Sequence, residues 1–137
     1  MRKVWIDTDP GIDDTYAIAM LLADANIDIV GVSSVFGNVT VEKTTYNAKV
    51  LMEAAGLNKL PLARGANLPL HVPLDTSPFV HGANGLGDMP LPEVHMPEWA
   101  VRAPQAIIDI IQKYTHEITL LPIGPLTNIA MAYLIEP

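Results

Sequence analysis

Asp7, Asp9, Asp13 and Asp14 stand within eight residues of one another, and no Lys or Arg follows them until Lys43. Four carboxylates this close, without a local counter-charge, repel unless they are protonated, well solvated or holding a cation. A hard cation takes oxygen ligands, and calcium accepts about six to eight of them, backbone carbonyls included. The plainer reading, in which each aspartate caps a helix or complements its dipole, suits any one of the four. It accounts poorly for all of them together.

Val4-Trp5-Ile6 is a short β-prone run that ends at Asp7-Thr8-Asp9, with Pro10-Gly11 as punctuation. Tyr16, Ala17, Met20, Leu21 and Leu22 then form a broad apolar stripe at helical spacing, which predicts a helix from Asp13 to Ala25. Asp13 and Asp14 fall in its first turn, where carboxylates suit the dipole. Ile27 to Val35 reads as a second strand, closed by Gly37-Asn38. A second helix is predicted from Thr40 to Ala55, capped by Thr40 and ended by Gly56. Leu60 to Ala63 is a third, short strand.

Between Gly65 and Ala100 the texture changes. Six of the twelve prolines and four of the nine glycines fall there without periodicity, so this stretch reads as a long, structured active-site loop. Pro104 opens an apolar helix (Ala106, Ile107, Ile108, Ile110, Ile111) running to about Thr115. Ile118 to Leu121 is a fourth strand, Pro122-Ile123-Gly124-Pro125 turns the chain, and Leu126 to Leu134 is a last helix. Alternating strands and helices predict one α/β domain over residues 1–137. Its expected architecture is an open, mostly parallel, Rossmann-like sheet of order 3-2-1-4 with flanking helices. Ligands of such sheets gather beyond the carboxyl ends of the strands, where strand order reverses. Strand one delivers the four aspartates to that crevice, strand two Phe36, Gly37 and Asn38, and strand four Pro122, Ile123 and Gly124. Asp9, Asp14 and a carbonyl at Ile123 would make a partial cage with room for water and substrate hydroxyls. An EF-hand is excluded: glycine falls at loop position five rather than six, and position twelve is Ile18.

Composition narrows the classes further. The chain is 50% apolar and 17% charged, too hydrophobic for a disordered segment. The longest apolar stretch, Tyr16 to Phe36, is broken by Asp24, Asn26 and Asp28, short of the run of about 20 residues that spans a bilayer. The opening residues reach Asp7 too soon for a signal peptide. There is no cysteine, hence no disulfide framework and no thiolate zinc site. A net charge of −7, with eight scattered basic residues, makes nucleic acid a poor partner. A soluble, cytoplasmic domain is expected.

Asp7-Thr8-Asp9-Pro10-Gly11-Ile12-Asp13-Asp14 resembles the DTDPGxDD signature of the inosine–uridine-preferring nucleoside hydrolases. Val35-Phe36-Gly37-Asn38, His81-Gly82 with Gly85-Leu86-Gly87, and Leu121-Pro122-Ile123-Gly124-Pro125-Leu126-Thr127-Asn128 agree in order and spacing. The resemblance covers the whole chain but only the amino-terminal half of the family's fold. It implies hydrolysis of the N-glycosidic bond of a ribonucleoside to ribose and free base, as in purine and pyrimidine salvage. Asp9, Asp14 and the Ile123 carbonyl would hold calcium. Asp9 would also take a proton from a calcium-activated water, Asp13 and Asn38 would bind ribose hydroxyls, and His81 would face the leaving base. His71, His95 and His116 match nothing and are expected at the surface. The family's second half supplies a further calcium-ligating aspartate and the histidine that protonates the leaving base, which makes this short chain a weak or inactive enzyme by expectation.

Two readings of other classes stand beside this one. Asp7-Thr8-Asp9 fits the Asp-x-Asp of a haloacid-dehalogenase-type phosphatase, although Pro10 to Asp14 does not and no helper lysine is evident. A non-catalytic remnant or fragment would bind calcium or ribose and self-associate. Self-association is expected as a dimer through strand four, an edge strand whose apolar side chains need cover.

Overall fold

The computed structural model describes residues 1–137. Four parallel strands, β1 (Arg2–Thr8), β2 (Ile27–Ser34), β3 (Leu62–Arg64) and β4 (Ile118–Pro122), form one sheet of order β3-β2-β1-β4. The helices are α1 (Ile12–Ala23), α2 (Val41–Ala54), α3 (Pro78–His81), α4 (Ala103–Lys113) and α5 (Thr127–Ile135). The expected topology is therefore present. The sheet reverses direction of growth at β1, flanked by β2 on one side and β4 on the other.

Alternation along β1 divides the core, as period-two side chains must. Val4 and Ile6 join Ile18, Ile29, Val32, Ala48, Met52 and Leu62 beneath α1 and α2. Trp5 points the other way, into Ala103, Ala106, Ile107, Ile110 and Ala132 of α4 and α5. The α2 helix ends as its sequence predicts: Gly56 has a φ of +72°, Leu57 N–H reaches Met52 O at 2.8 Å, and Gly56 N–H reaches Glu53 O at 3.0 Å. That is a Schellman stop, which glycine adopts at no steric cost.

Several boundaries and roles differ from expectation. Thr40 stands at the start of α2, but its hydroxyl makes no capping hydrogen bond. The stripe assigned to the core side of α1 is largely solvent-facing, with Tyr16 and Met20 70% and 75% exposed; Ile18 carries the packing, with Leu21 partly buried beside it. Strand β3 begins two residues late because Pro61 precedes it, offering only its carbonyl, to Val32 N–H. Within the long loop the four-residue α3 is new, too short to carry a period. His71, His95 and His116 are exposed, as expected. No helix is long and apolar enough to cross a membrane.

Candidate metal and ribose site

Register places the site. Asp7 on β1 pairs with Pro122 on β4 and with Ser33 on β2, so the chains leaving all three strands converge just beyond. The Asp7 carbonyl accepts from Ile123 N–H at 2.8 Å and Gly124 N–H at 3.3 Å, folding the β4–α5 turn over the end of β1. Thr8 O accepts from Val35 N–H at 3.0 Å and draws the β2–α2 turn to the same point.

Asp9 lies between those two turns and is 6% exposed. Its Oδ2 accepts from Asn38 N–H at 2.8 Å, and its backbone carbonyl accepts from Asn38 Nδ2 at 2.9 Å. A Cβ on Gly37 would overlap its carboxylate, and one on Gly124 would stand 2.8 Å from Oδ1. Both turns thus leave room for this carboxylate, and a Cβ on Gly124 would also stand 2.8 Å from Val35 Cγ1. Asp14, in the first turn of α1, takes Thr8 Oγ1 at 2.8 Å on Oδ1, and both Gly11 N–H and Asn38 Nδ2 at 3.0 Å on Oδ2. Asp13, beside it in sequence, points outward with its side chain 82% exposed.

Electrostatics match this crowding. Burial pushes the Asp9 carboxyl up to about 7; the Asn38 N–H opposes this, and the charges of Asp14 and Asp13 add to it. Burial pushes Asp7 up to about 6 against hydrogen bonds from Ser33 and Asn128. No Lys or Arg pairs with any of the four aspartates. Asp9 Oδ1 and the Ile123 carbonyl accept no hydrogen bond. An uncompensated, all-oxygen donor set of this kind fits a hard cation. No three acidic, histidine or cysteine side chains converge into a metal-binding group.

The residues singled out from sequence gather here unequally. Asp9, Asp14 and Asn38 form one hydrogen-bonded unit. His81 joins it through α1, accepting Ile12 N–H on Nδ1 at 3.2 Å. Sequence reasoning passed over Thr8, Ser33, Asn47 and the role of Asn128. Asn128 Nδ2 donates to Asp7 Oδ1 at 2.8 Å and to Ser34 O at 2.9 Å, while its Oδ1 takes Ala66 N–H at 2.8 Å. Thr8, standing between two aspartates, carried a readable signal; Asn47, inside a helix, carried none. Asp7 is fully buried, its Oδ1 taken by Ser33 and Asn128, so it cannot reach a phosphoryl group as a phosphatase nucleophile must. A cavity of about 950 Å³ beside Asp28, Trp99 and Tyr114 shares no residue with this cluster.

A family model for inosine-uridine preferring nucleoside hydrolases matches residues 4–137. Uridine nucleosidase 1 of Arabidopsis thaliana is 42% identical over 132 residues, covering 96% of this chain and 39% of its own length. The inosine-uridine preferring nucleoside hydrolase of Leishmania major is 38% identical over 142 residues, covering 99% and 44%. Among solved structures, a plant nucleoside hydrolase superimposes with a TM-score of 0.94 at 37% identity, over 99% of this chain and 43% of its own. A purine-preferring ribonucleoside hydrolase from Gardnerella vaginalis gives 0.93 at 31% identity, over 99% and 44%. The chain spans about two fifths of the length of the curated relatives it matches.

Proposed function

Because the chain belongs to the inosine-uridine preferring nucleoside hydrolase family, we propose that it carries the cation and ribose side of a site that hydrolyses the N-glycosidic bond of ribonucleosides. The products would be ribose and a free base. One observation supports this above the others: Asn38 ties Asp9 to Asp14 at the switch point of the sheet, with no cation of the protein's own nearby.

Calcium is the ion we assign, held by Asp9, Asp14 and the Ile123 carbonyl. When bound it supplies a Lewis acid toward water. Asp9, whose Oδ1 accepts no hydrogen bond within the chain, would accept the proton of the attacking water. Asn38 Oδ1, which has no partner, accepts from a ribose hydroxyl while Nδ2 holds the Asp14 carboxylate and the Asp9 backbone carbonyl in place. Asp13, exposed at the start of α1, accepts from another hydroxyl. The carboxylates then stabilise positive charge as it develops on an oxocarbenium-like sugar. His81 contacts the base.

Binding of calcium or ribose without turnover is a second reading. We also assign a two-fold dimer through β4, which pairs on one side only. Release of base from inosine and uridine and of p-nitrophenol from p-nitrophenyl riboside, measured against p-nitrophenyl phosphate, tests the chemistry. Riboside cleavage that Asp9→Asn abolishes supports it; phosphate release alone would overturn it.

A further inference from the structure

The loop segment bearing α3 is fastened to the site from four directions. Ser77 N–H donates to Asn38 O at 2.9 Å, Lys43 Nζ to Ala83 O at 2.6 Å, and Asn47 Nδ2 to Asn84 O at 2.9 Å. The fourth tie is the only one made by a loop side chain to α1. Ile12, the first residue of that helix, donates its N–H to His81 Nδ1 at 3.2 Å.

Amide groups in the first turn of a helix have no partner within it. Gly11, at the cap position, has no side chain to offer, and Asp14 reaches back only to Gly11 N–H. His81 fills the next vacancy. The absent Cβ of Gly11 also admits the ring, since that atom would stand 2.8 Å from His81 Nδ1 and 2.5 Å from Asn38 Nδ2. Asp13 Oδ1, at 3.8 Å from Nδ1, is too far for a hydrogen bond, so it does not compete for that nitrogen.

An imidazole nitrogen that accepts a hydrogen bond carries no proton, and the neutral ring then keeps its proton on the other nitrogen. His81 Nε2 has no partner within the chain and the residue is 9% exposed. We propose that His81 is a positioning residue: its Nδ1 caps α1 through Ile12, which fixes the ring as the Nε2–H tautomer and anchors the loop beside Asp13 and Asn38. The ring therefore offers a donor and no acceptor. A neutral imidazole N–H donates a hydrogen bond without releasing its proton, so His81 acts as neither general base nor leaving-group acid. That consequence rests on the ribonucleoside reading; the cap itself does not.

Two variants separate the ring's nitrogens. His81→Asn sets an amide oxygen where Nδ1 stands and loses the Nε2 donor. His81→Gln reaches the Nε2 position and leaves Ile12 N–H without an acceptor. Hydrogen exchange at Ile12, referenced to the core amide of Ile6, is followed by NMR in the 137-residue chain without substrate. Ile12 should be protected in wild type and His81→Asn and exchange at least tenfold faster in His81→Gln. The ring 15N spectrum of wild type should show an unprotonated Nδ1 and a protonated Nε2. Should His81→Asn lose Ile6 protection as well, the wild-type spectrum and His81→Gln decide. A protonated Nδ1, or equal Ile12 exchange in wild type and His81→Gln, would overturn the proposal. None of these readouts needs turnover, so an inactive chain leaves the test intact.

Discussion

Asn38 grips Asp9 and Asp14 at once: its backbone N–H meets Asp9 Oδ2 at 2.8 Å, and its side-chain Nδ2 meets Asp14 Oδ2 at 3.0 Å. The two carboxylates come from the turn after β1 and from α1, and nothing else bonds to both. Asn38→Ala keeps the backbone bond and loses the side-chain ones. Hydrogen bonds to charged groups are worth roughly 1.5–3 kcal/mol, so calcium affinity by calorimetry should fall by about tenfold to a hundredfold. Unchanged affinity would mean that the carboxylates hold their spacing unaided.

Asp9 and Asp14 should respond oppositely in stability while agreeing in calcium binding. Asp14 satisfies Thr8, Gly11 and Asn38, so Asp14→Ala strands buried donors, each at about 1–3 kcal/mol. Asp9 is a buried acid crowded by like charge, and Asp9→Asn removes that charge with little change of shape. In chelated buffer, Asp14→Ala should melt well below wild type and Asp9→Asn near or above it. Neither should gain Tm on adding calcium. A calcium response in Asp9→Asn equal to wild type would remove Asp9 from the metal site.

The fold was legible where hydrophobic spacing or a backbone constraint governs it. Pro-Gly after β1, Gly56 after α2 and the isoleucines of α4 each mark an element that is present. What stayed hidden is polar burial. Thr44, Thr45 and Asn47 form the fully buried side of α2, which an apolar-inside reading leaves to solvent. They are buried because each finds a partner: Thr44 Oγ1 meets Val35 O at 2.8 Å, Thr45 Oγ1 meets Ser34 Oγ at 2.7 Å, and Asn47 Nδ2 meets Pro10 O at 3.0 Å. Such pairings join residues distant in sequence and leave no period to read. The same holds for the site, where four aspartates announced themselves but the bond from Asn128 to Asp7, 121 residues away, did not.

Asp7 makes stability depend on pH in a defined direction. Its carboxyl, raised by burial from 3.8 to about 6, binds a proton more tightly in the fold than in the unfolded chain. That contribution is fully present below pH 3.8 and is lost as pH rises through about 6. The loss is on the order of 2–3 kcal/mol. Asp7→Asn has no proton to lose, so without calcium its Tm relative to wild type should climb from pH 4 to pH 7. A difference that stays flat over that range would show that Asp7 ionises as readily in the fold as outside it.

Turnover by the 137-residue chain should be under about a thousandth of that of the longer relatives. A positioned general acid or base contributes roughly 10²–10⁴-fold, and His81, committed to Ile12, does not supply the acid. Steady-state release of base from inosine and uridine checks this. Near-normal rates, abolished by Asp9→Asn, would show that the residues present complete the site.

Assembly should follow from the edge of the sheet. β4 pairs with β1 alone, and Ile118, Leu120 and Leu121 along it are only partly buried. Beside it α5 is apolar on every side and leaves Tyr133, Leu134 and Ile135 67%, 75% and 57% exposed, with Ile111 of α4 at 40%. An open strand edge next to apolar side chains recruits another chain. A two-fold axis would cover the same patch on both copies and close the assembly, which a head-to-tail contact does not do. Light scattering at tens of micromolar should give twice the 14.8 kDa chain mass. Leu134→Lys, which sets a charge on the most exposed of these α5 side chains, should return the monomer without lowering Tm in dilute solution. A wild-type chain that stays monomeric at those concentrations would refute the dimer.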